Sequence, residues 1–252
     1  MTEQTHLSTP NVVVQSDAVH LAEFAAGRMA EEIRHAVQSR GEAIVALPGG
    51  STPRTALELL ARQRGIDWAK VVIVPGDERM VPVTDPDSNE RMIREALVSR
   101  ISGPAPIVAG WGVESGLGPE TVVRRFEARL LGLLPKVDGI YRLDWLGLGL
   151  GEDGHTASLF PGRDYSEAEL VLSTVHPSGQ TRLTLGPALL RSARSVRFLL
   201  AGQQKAVTLA AVVEGPYDPV RWPAQLVARR VPGCEIWCDR AAAPSANPSS
   251  HG

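Results

Sequence analysis

Apolar residues along the chain alternate between two spacings, and each change of spacing marks an element. From Asp17 to Arg40, Ala22, Ala25, Met29, Ile33 and Val37 recur at helical intervals. That pattern predicts an amphipathic helix, with Asp17 placed to cap its start and Gly41 to stop it. AIVAL (43–47) is a short uninterrupted apolar run, as expected of a strand buried on both faces. PGGSTP (48–53) turns the chain into a second predicted helix over 55–63. VVIV (71–74) predicts another buried strand and runs into PGDERMVP (75–82). Residues 88–101 and 119–134 carry helical spacing, the latter with Pro119 at a favoured first-turn position. LDWLGLGL (143–150) and SVRFLLAG (195–202) predict two more buried strands, separated by shorter β pieces at 170–174 and 182–185. A helix is expected over 203–214.

This alternation predicts an α/β fold: a three-layer, Rossmann-like, mainly parallel sheet with helices on both faces and a small accessory β region. A single domain is expected over 11–240. Residues 1–10 read as a flexible N-terminus and 241–252 as a disordered tail, since neither offers apolar surface to bury.

Composition and charge remove several function classes. The 252 residues carry 26 Lys and Arg against 28 Asp and Glu, a net charge of −2. That balance gives no basis for nucleic acid or an anionic membrane surface as partner. No apolar run approaches the ~20 residues of a membrane span, and MTEQTHLSTP lacks the basic and apolar regions of a secretory leader. The two cysteines, Cys234 and Cys238, lie four residues apart in a strand-like segment. That separation is roughly 13 Å along a strand, too far for an unstrained disulfide. Two packed thiols and a cytoplasmic location are expected.

Four polar or glycine-rich segments directly follow a buried strand: GGST, GDER, GEDGH and GQQK. In open α/β sheets ligands bind beyond the carboxyl ends of the strands, so adjacent strands would bring these four loops to one site. In the first, Gly49, Gly50, Ser51 and Thr52 suit a phosphate cradle at a helix start, or a glycine turn with Ser51 or Thr52 as N-cap. In the second, Arg79 can pair bidentately with a phosphate and Asp77 can accept from sugar hydroxyls; the alternative is a surface ion-pair network. Lys205 in the fourth stands near a helix N-terminus, where a cation is unfavourable without an anion nearby; otherwise it is a solvated helix residue. His155, in the third, is the candidate general base for activating water, with Asp153 two residues earlier to orient its ring. No second His or Cys cluster supplies metal ligands, and no GxSxG elbow is present.

Taken together, GDERMVP, DSNERMIREAL, DWLGLGLGEDGHTASLFPG, RLTLGPALLRSARSVRFLLAGQQKA and WPAQLV closely resemble the 6-phosphogluconolactonase family, over nearly the whole chain. Two small departures are Pro75, where an aromatic is usual, and Glu152, where a Pro is common. The resemblance implies hydrolysis of 6-phospho-D-glucono-1,5-lactone to 6-phosphogluconate, the second step of the oxidative pentose phosphate pathway, with no cofactor or metal. Under it, Arg79, Lys205 and the Gly49–Thr52 loop hold the phosphate, His155 takes a proton from water, and Asn89 and Arg182 shape the pocket. The expected partner is a small phosphosugar lactone, and the expected assembly a monomer or weak homodimer. Two other classes remain: a glucosamine-6-phosphate isomerase or deaminase, whose motif has a glutamate where this chain has Phe160, and a non-enzymatic phosphosugar sensor.

Overall fold

In the computed structural model, which describes residues 7–244, the chain opens with β1 (Asn11–Gln15), α1 (Ala18–Arg40), β2 (Ala43–Leu47) and α2 (Ser51–Leu60). β3 (Val71–Pro75), β4 (Asp77–Arg79), α3 (Asn89–Ala96), β5 (Ile107–Val108) and α4 (Pro119–Leu133) follow. After a small hairpin, β6 (Lys136–Val137) with β7 (Ile140–Tyr141), come β8 (Trp145–Leu148), β9 (Val171–Val175) and β10 (Thr181–Leu185). The chain closes with α5 (Pro187–Ser192), β11 (Ser195–Leu200), α6 (Ala206–Val213), α7 (Gln225–Ala228) and β12 (Glu235–Asp239).

Seven strands form the central sheet in the order β1-β12-β11-β8-β2-β3-β5, and every pairing in it is parallel. Side chains alternate across it and define two cores. Ala43, Val45 and Leu47 of β2 face α1, α2 and α3. Ile44 and Ala46 face the layer containing α4, α5, α6 and α7. The accessory β region is a three-stranded antiparallel sheet, β4-β10-β9, on this second side. No helix among the described residues is long and apolar enough to cross a membrane.

α1 begins and ends where its sequence signals lie. Asp17 accepts from the amides of Val19 and His20, and Gly41 closes the helix at φ 86°. Elsewhere tertiary pairing moved boundaries. GDER is not an open loop: residues 77–79 pair with β10 as soon as they leave β3. α2 starts at Ser51 with Gly50 as N-cap, so neither Ser51 nor Thr52 has the capping role. The domain also extends past its expected limits. Ser8, within the expected flexible terminus, donates its amide to Arg229 O and its hydroxyl to Val231 O. Ala242, assigned to the tail, is fully buried in the core. The remainder of the two terminal expectations, residues 1–6 and 245–252, lies outside the described residues. Cys234 and Cys238 are buried free thiols; burial pushes them up to about 12 and about 11.

Candidate active site

β11, β8, β2 and β3 are contiguous in the sheet, so the four loops at their carboxyl ends meet. They enclose a cavity of about 240 Å³ lined by Gly49 and Gly50, Asp77 and Arg79, Gly151 and His155, and Lys205, with Asn89 from α3. This is near the lower end of the ~300–1,000 Å³ usual for small-molecule sites. The volume suits one sugar ring with a substituent rather than a dinucleotide. Ser51 does not line the cavity; it opens onto a neighbouring surface pocket with Arg54 and Arg91. Thr52, Asp153 and Arg182 are also absent from the lining.

His155 sits in a loop tied down on several sides. Gly151 N donates to His155 O at 2.8 Å and Gly154 N to Gly151 O at 3.1 Å, closing a tight turn. Thr156 Oγ1 reaches Gly149 O at 2.8 Å, Thr208 Oγ1 reaches Glu152 O at 2.6 Å, and Ala224 N reaches Gly154 O at 3.0 Å. Ala157 takes a positive φ of 48°, an unfavourable conformation for a side-chain-bearing residue. His155 Nδ1 lies 2.5 Å from Asp153 Oδ1. A carboxylate only accepts, so Nδ1 carries the proton in that bond and Nε2 is left as the basic nitrogen. Burial raises the Asp153 carboxyl, but the His155 charge and the bonds from His155 outweigh it and hold the group below its usual value. Phe160 packs its ring 5.2 Å from the imidazole.

The opposite wall is organised by Glu78, which sequence reasoning passed over as one charge in a charged loop. It is buried, and its two oxygens accept from the amides of Arg79, Asn89 and Glu90 and from the Ser88 hydroxyl, at 2.7–3.0 Å. The carboxylate thereby satisfies the first turn of α3 and fixes Asn89 over the cavity. Asn89 Nδ2 donates to Asp77 Oδ1 at 3.1 Å, and Arg79 Nη1 donates to Asn89 Oδ1 at 2.6 Å. The second Asp77 oxygen accepts from Ser158 Oγ at 2.7 Å. Ser158 is itself held by Thr184 and Thr174. Neither Glu78 nor Ser158 has a local signal, because each acts on a partner that the fold brings to it.

Among the described residues, no three His, Cys, Asp or Glu side chains gather as a metal site. The arrangement offers an oriented imidazole, a fixed carboxylate, two cations and glycine-rich backbone around one small cavity.

Comparisons with known proteins identify the family. Residues 16–237 match the family model described as glucosamine-6-phosphate isomerases/6-phosphogluconolactonase. A 6-phosphogluconolactonase of Synechocystis sp. is 35% identical, the match covering 86% of this chain and 91% of that protein. One of Haemophilus influenzae is 32% identical, covering 88% and 95%. The solved structure of 6-phosphogluconolactonase from Trypanosoma brucei superposes with a TM-score of 0.80 at 25% identity, covering 93% of this chain and 98% of that one.

Proposed function

The chain belongs to the glucosamine-6-phosphate isomerase/6-phosphogluconolactonase family, and from that premise we propose that it is a 6-phosphogluconolactonase. It hydrolyses 6-phospho-D-glucono-1,5-lactone to 6-phospho-D-gluconate. The observation that carries the lactonase reading over the isomerase one is at residue 160. Where the deaminase motif places a glutamate, this chain packs the buried ring of Phe160 beside His155, and that ring has no proton to exchange.

In this reading Arg79 and Lys205, with the backbone at Gly49 and Gly50, hold the 6-phosphate, and the lactone C1 faces His155. Asp77 accepts from a sugar hydroxyl. His155 Nε2 takes a proton from water as the water oxygen attacks C1, and negative charge collects on the carbonyl oxygen. As the tetrahedral intermediate collapses, the C1–ring oxygen bond breaks and the imidazolium returns the proton to the departing oxygen. Asp153 stabilises that imidazolium while it exists. These steps use no metal, cofactor or covalent nucleophile. General base catalysis supplies ~10²–10⁴-fold, and positioning adds to it. The reading places the protein in the cytoplasm, acting on a small phosphosugar as a monomer or weak homodimer, with no nucleic acid or membrane partner.

The test is lactone opening above the spontaneous background, run beside His155→Ala. The variant is expected to lose about 10²–10⁴-fold in kcat while binding 6-phosphogluconate within about twofold of wild type. Arg79→Ala and Lys205→Ala are expected to show the reverse, weakening product binding first. Wild type that binds the product without accelerating lactone opening would return the sensor reading.

A further inference from the structure

Lys205 and His155 line one cavity but stand on different loops, one after β11 and one after β8. Their separation has to match a single phosphosugar, and α6 connects them. Lys205 ends a single 3₁₀ turn, Gln203–Lys205, and α6 continues from it without a break. That turn is fixed to the sheet at its start. Gly202 donates its amide to the Asp239 carboxylate at the end of β12, at 3.1 and 3.2 Å, and Lys205 N closes on Gly202 O at 3.0 Å.

Two hydrogen-bonded routes lead from α6 to the turn 151–154. The first is direct. Thr208, about one turn beyond Lys205, is buried and donates its hydroxyl to Glu152 O at 2.6 Å. A helical threonine ordinarily returns that hydroxyl to a carbonyl of its own helix; this one gives it to another segment. The carbonyl it holds belongs to the peptide from which Asp153 departs, and Asp153 orients His155. Among the described residues, no other hydrogen bond joins α6 to residues 151–162. The second route is indirect and runs through WPAQLV, which supplies no side chain to the cavity. Gln225, fully buried, donates to Ala211 O of α6 and to Pro216 O, both at 3.1 Å, and accepts from Asp218 N at 2.7 Å. Its neighbour Ala224 donates to Gly154 O. A side chain at residue 154 would overlap the Trp222 ring, so this route backs the turn while Thr208 sets its front.

We propose that Thr208 is a positioning residue that registers His155 against Lys205, so that a substrate held by its phosphate presents C1 to Nε2. The inference rests on the lactonase reading above and deepens it. Thr208 touches no reacting atom; it acts through the Glu152 carbonyl and Asp153. Binding energy from a remote phosphate assists the reacting centre only if anchor and base keep a fixed separation. A misplacement of about 1 Å can cost ~10²-fold. Without the Thr208 bond the peptide between residues 152 and 153 is free to turn, because the glycines at 151 and 154 restrain it little. The Ala224–Gly154 bond still holds the loop in place, so the expected fault is one of alignment rather than of folding.

The experiment is a double-mutant cycle on hydrolysis of 6-phospho-D-glucono-1,5-lactone with wild type, Thr208→Val, Lys205→Ala and the double variant. Thr208→Val keeps the shape of the side chain and removes its donor; Thr208→Ala serves, with the same expectation, should the valine variant not fold. Thr208→Val is expected to lower kcat by about 10-fold, with KM and the calorimetric Kd for 6-phosphogluconate within about twofold of wild type. Thr208→Ser, which keeps the hydroxyl, is expected to hold kcat within about twofold. In the Lys205→Ala background Thr208→Val is expected to change kcat by less than about twofold, because the base no longer has that anchor to be registered against. Equal losses in both backgrounds would overturn the registration, as would an unchanged kcat in Thr208→Val. A loss of product affinity in step with kcat would reduce Thr208 to a structural residue and overturn it too. Wild type that opens the lactone no faster than the spontaneous background would overturn the lactonase reading itself, and the registration with it.

Discussion

A side chain at residue 151 would overlap His155 Nδ1 and Asp153 Oδ1, so the imidazole–carboxylate pair packs on a bare Cα. Gly151→Ala is therefore expected to displace the ring and cut kcat sharply, while the circular dichroism spectrum remains that of the wild type. Asp153→Asn separates charge from geometry. The amide oxygen can still accept from Nδ1, but it cannot stabilise an imidazolium, so kcat is expected to fall by roughly 10²-fold or more with KM little changed. The same carboxyl has a sign in stability. Its folded value lies below 3.8, so its contribution is complete above the unfolded value and is lost as pH falls through the lowered one. Acid unfolding of Asp153→Asn should accordingly show less pH dependence below about pH 4 than wild type. GEDGH announced itself as a glycine-rich loop after a strand. That Gly151 is bare because the pair rests on it could be read only from the folded loop.

At the scale of elements, local signals held where the chain serves itself. α1 has its cap and its stop in its own sequence, and Gly41 needs its freedom because its φ is 86°. A Cβ there meets nothing within 4 Å, so Gly41→Ala should cost about 1 kcal/mol in urea unfolding and leave kcat unchanged, as the turn lies at the far end of β2. α3 is the contrary case. Ser88 caps it locally, but its first amides also depend on Glu78, across a loop. Glu78→Ala leaves buried donors unpaired and is expected to destabilise by about 3 kcal/mol, and to raise KM because Asn89 and Arg79 lose their mooring. Burial raises the Glu78 carboxyl above 4.5 despite its four donors. The native state therefore binds its proton more readily than the unfolded chain, and this group subtracts stability as pH rises from 4.5 through the raised value. The segment after β3 was legible as polar. It was not legible as a strand, because its ladder partner β10 lies about a hundred residues later.

The whole molecule converts four separate strand ends into one cavity. Adjacency of β11, β8, β2 and β3 does this, and it is a property of strand order rather than of any loop. A ligand that spans those loops should stabilise all of them together. With 6-phosphogluconate at about 100 times its Kd, linkage adds about 2.7 kcal/mol, or a rise of about 5–10 °C in Tm for a domain of this size. Differential scanning fluorimetry measures it. A shift of the same size with gluconate would argue against a phosphate-dependent site.

By itself, the sequence determined the central buried strands β2, β3, β8 and β11, the longer helices between them, and the loops that carry His155, Arg79 and Lys205, because hydrophobic period and glycine placement are local quantities. Motif likeness added the family for the same reason: its segments are contiguous. Only the tertiary structure decided which polar groups share a partner. It paired Asp77 with Ser158, put Glu78 under α3, left Ser51 and Thr52 outside the cavity, and joined Thr208 to the turn that carries His155. These pairings depend on strand order and register, which place residues tens to a hundred positions apart within hydrogen-bond reach, and no spacing along the chain encodes that distance.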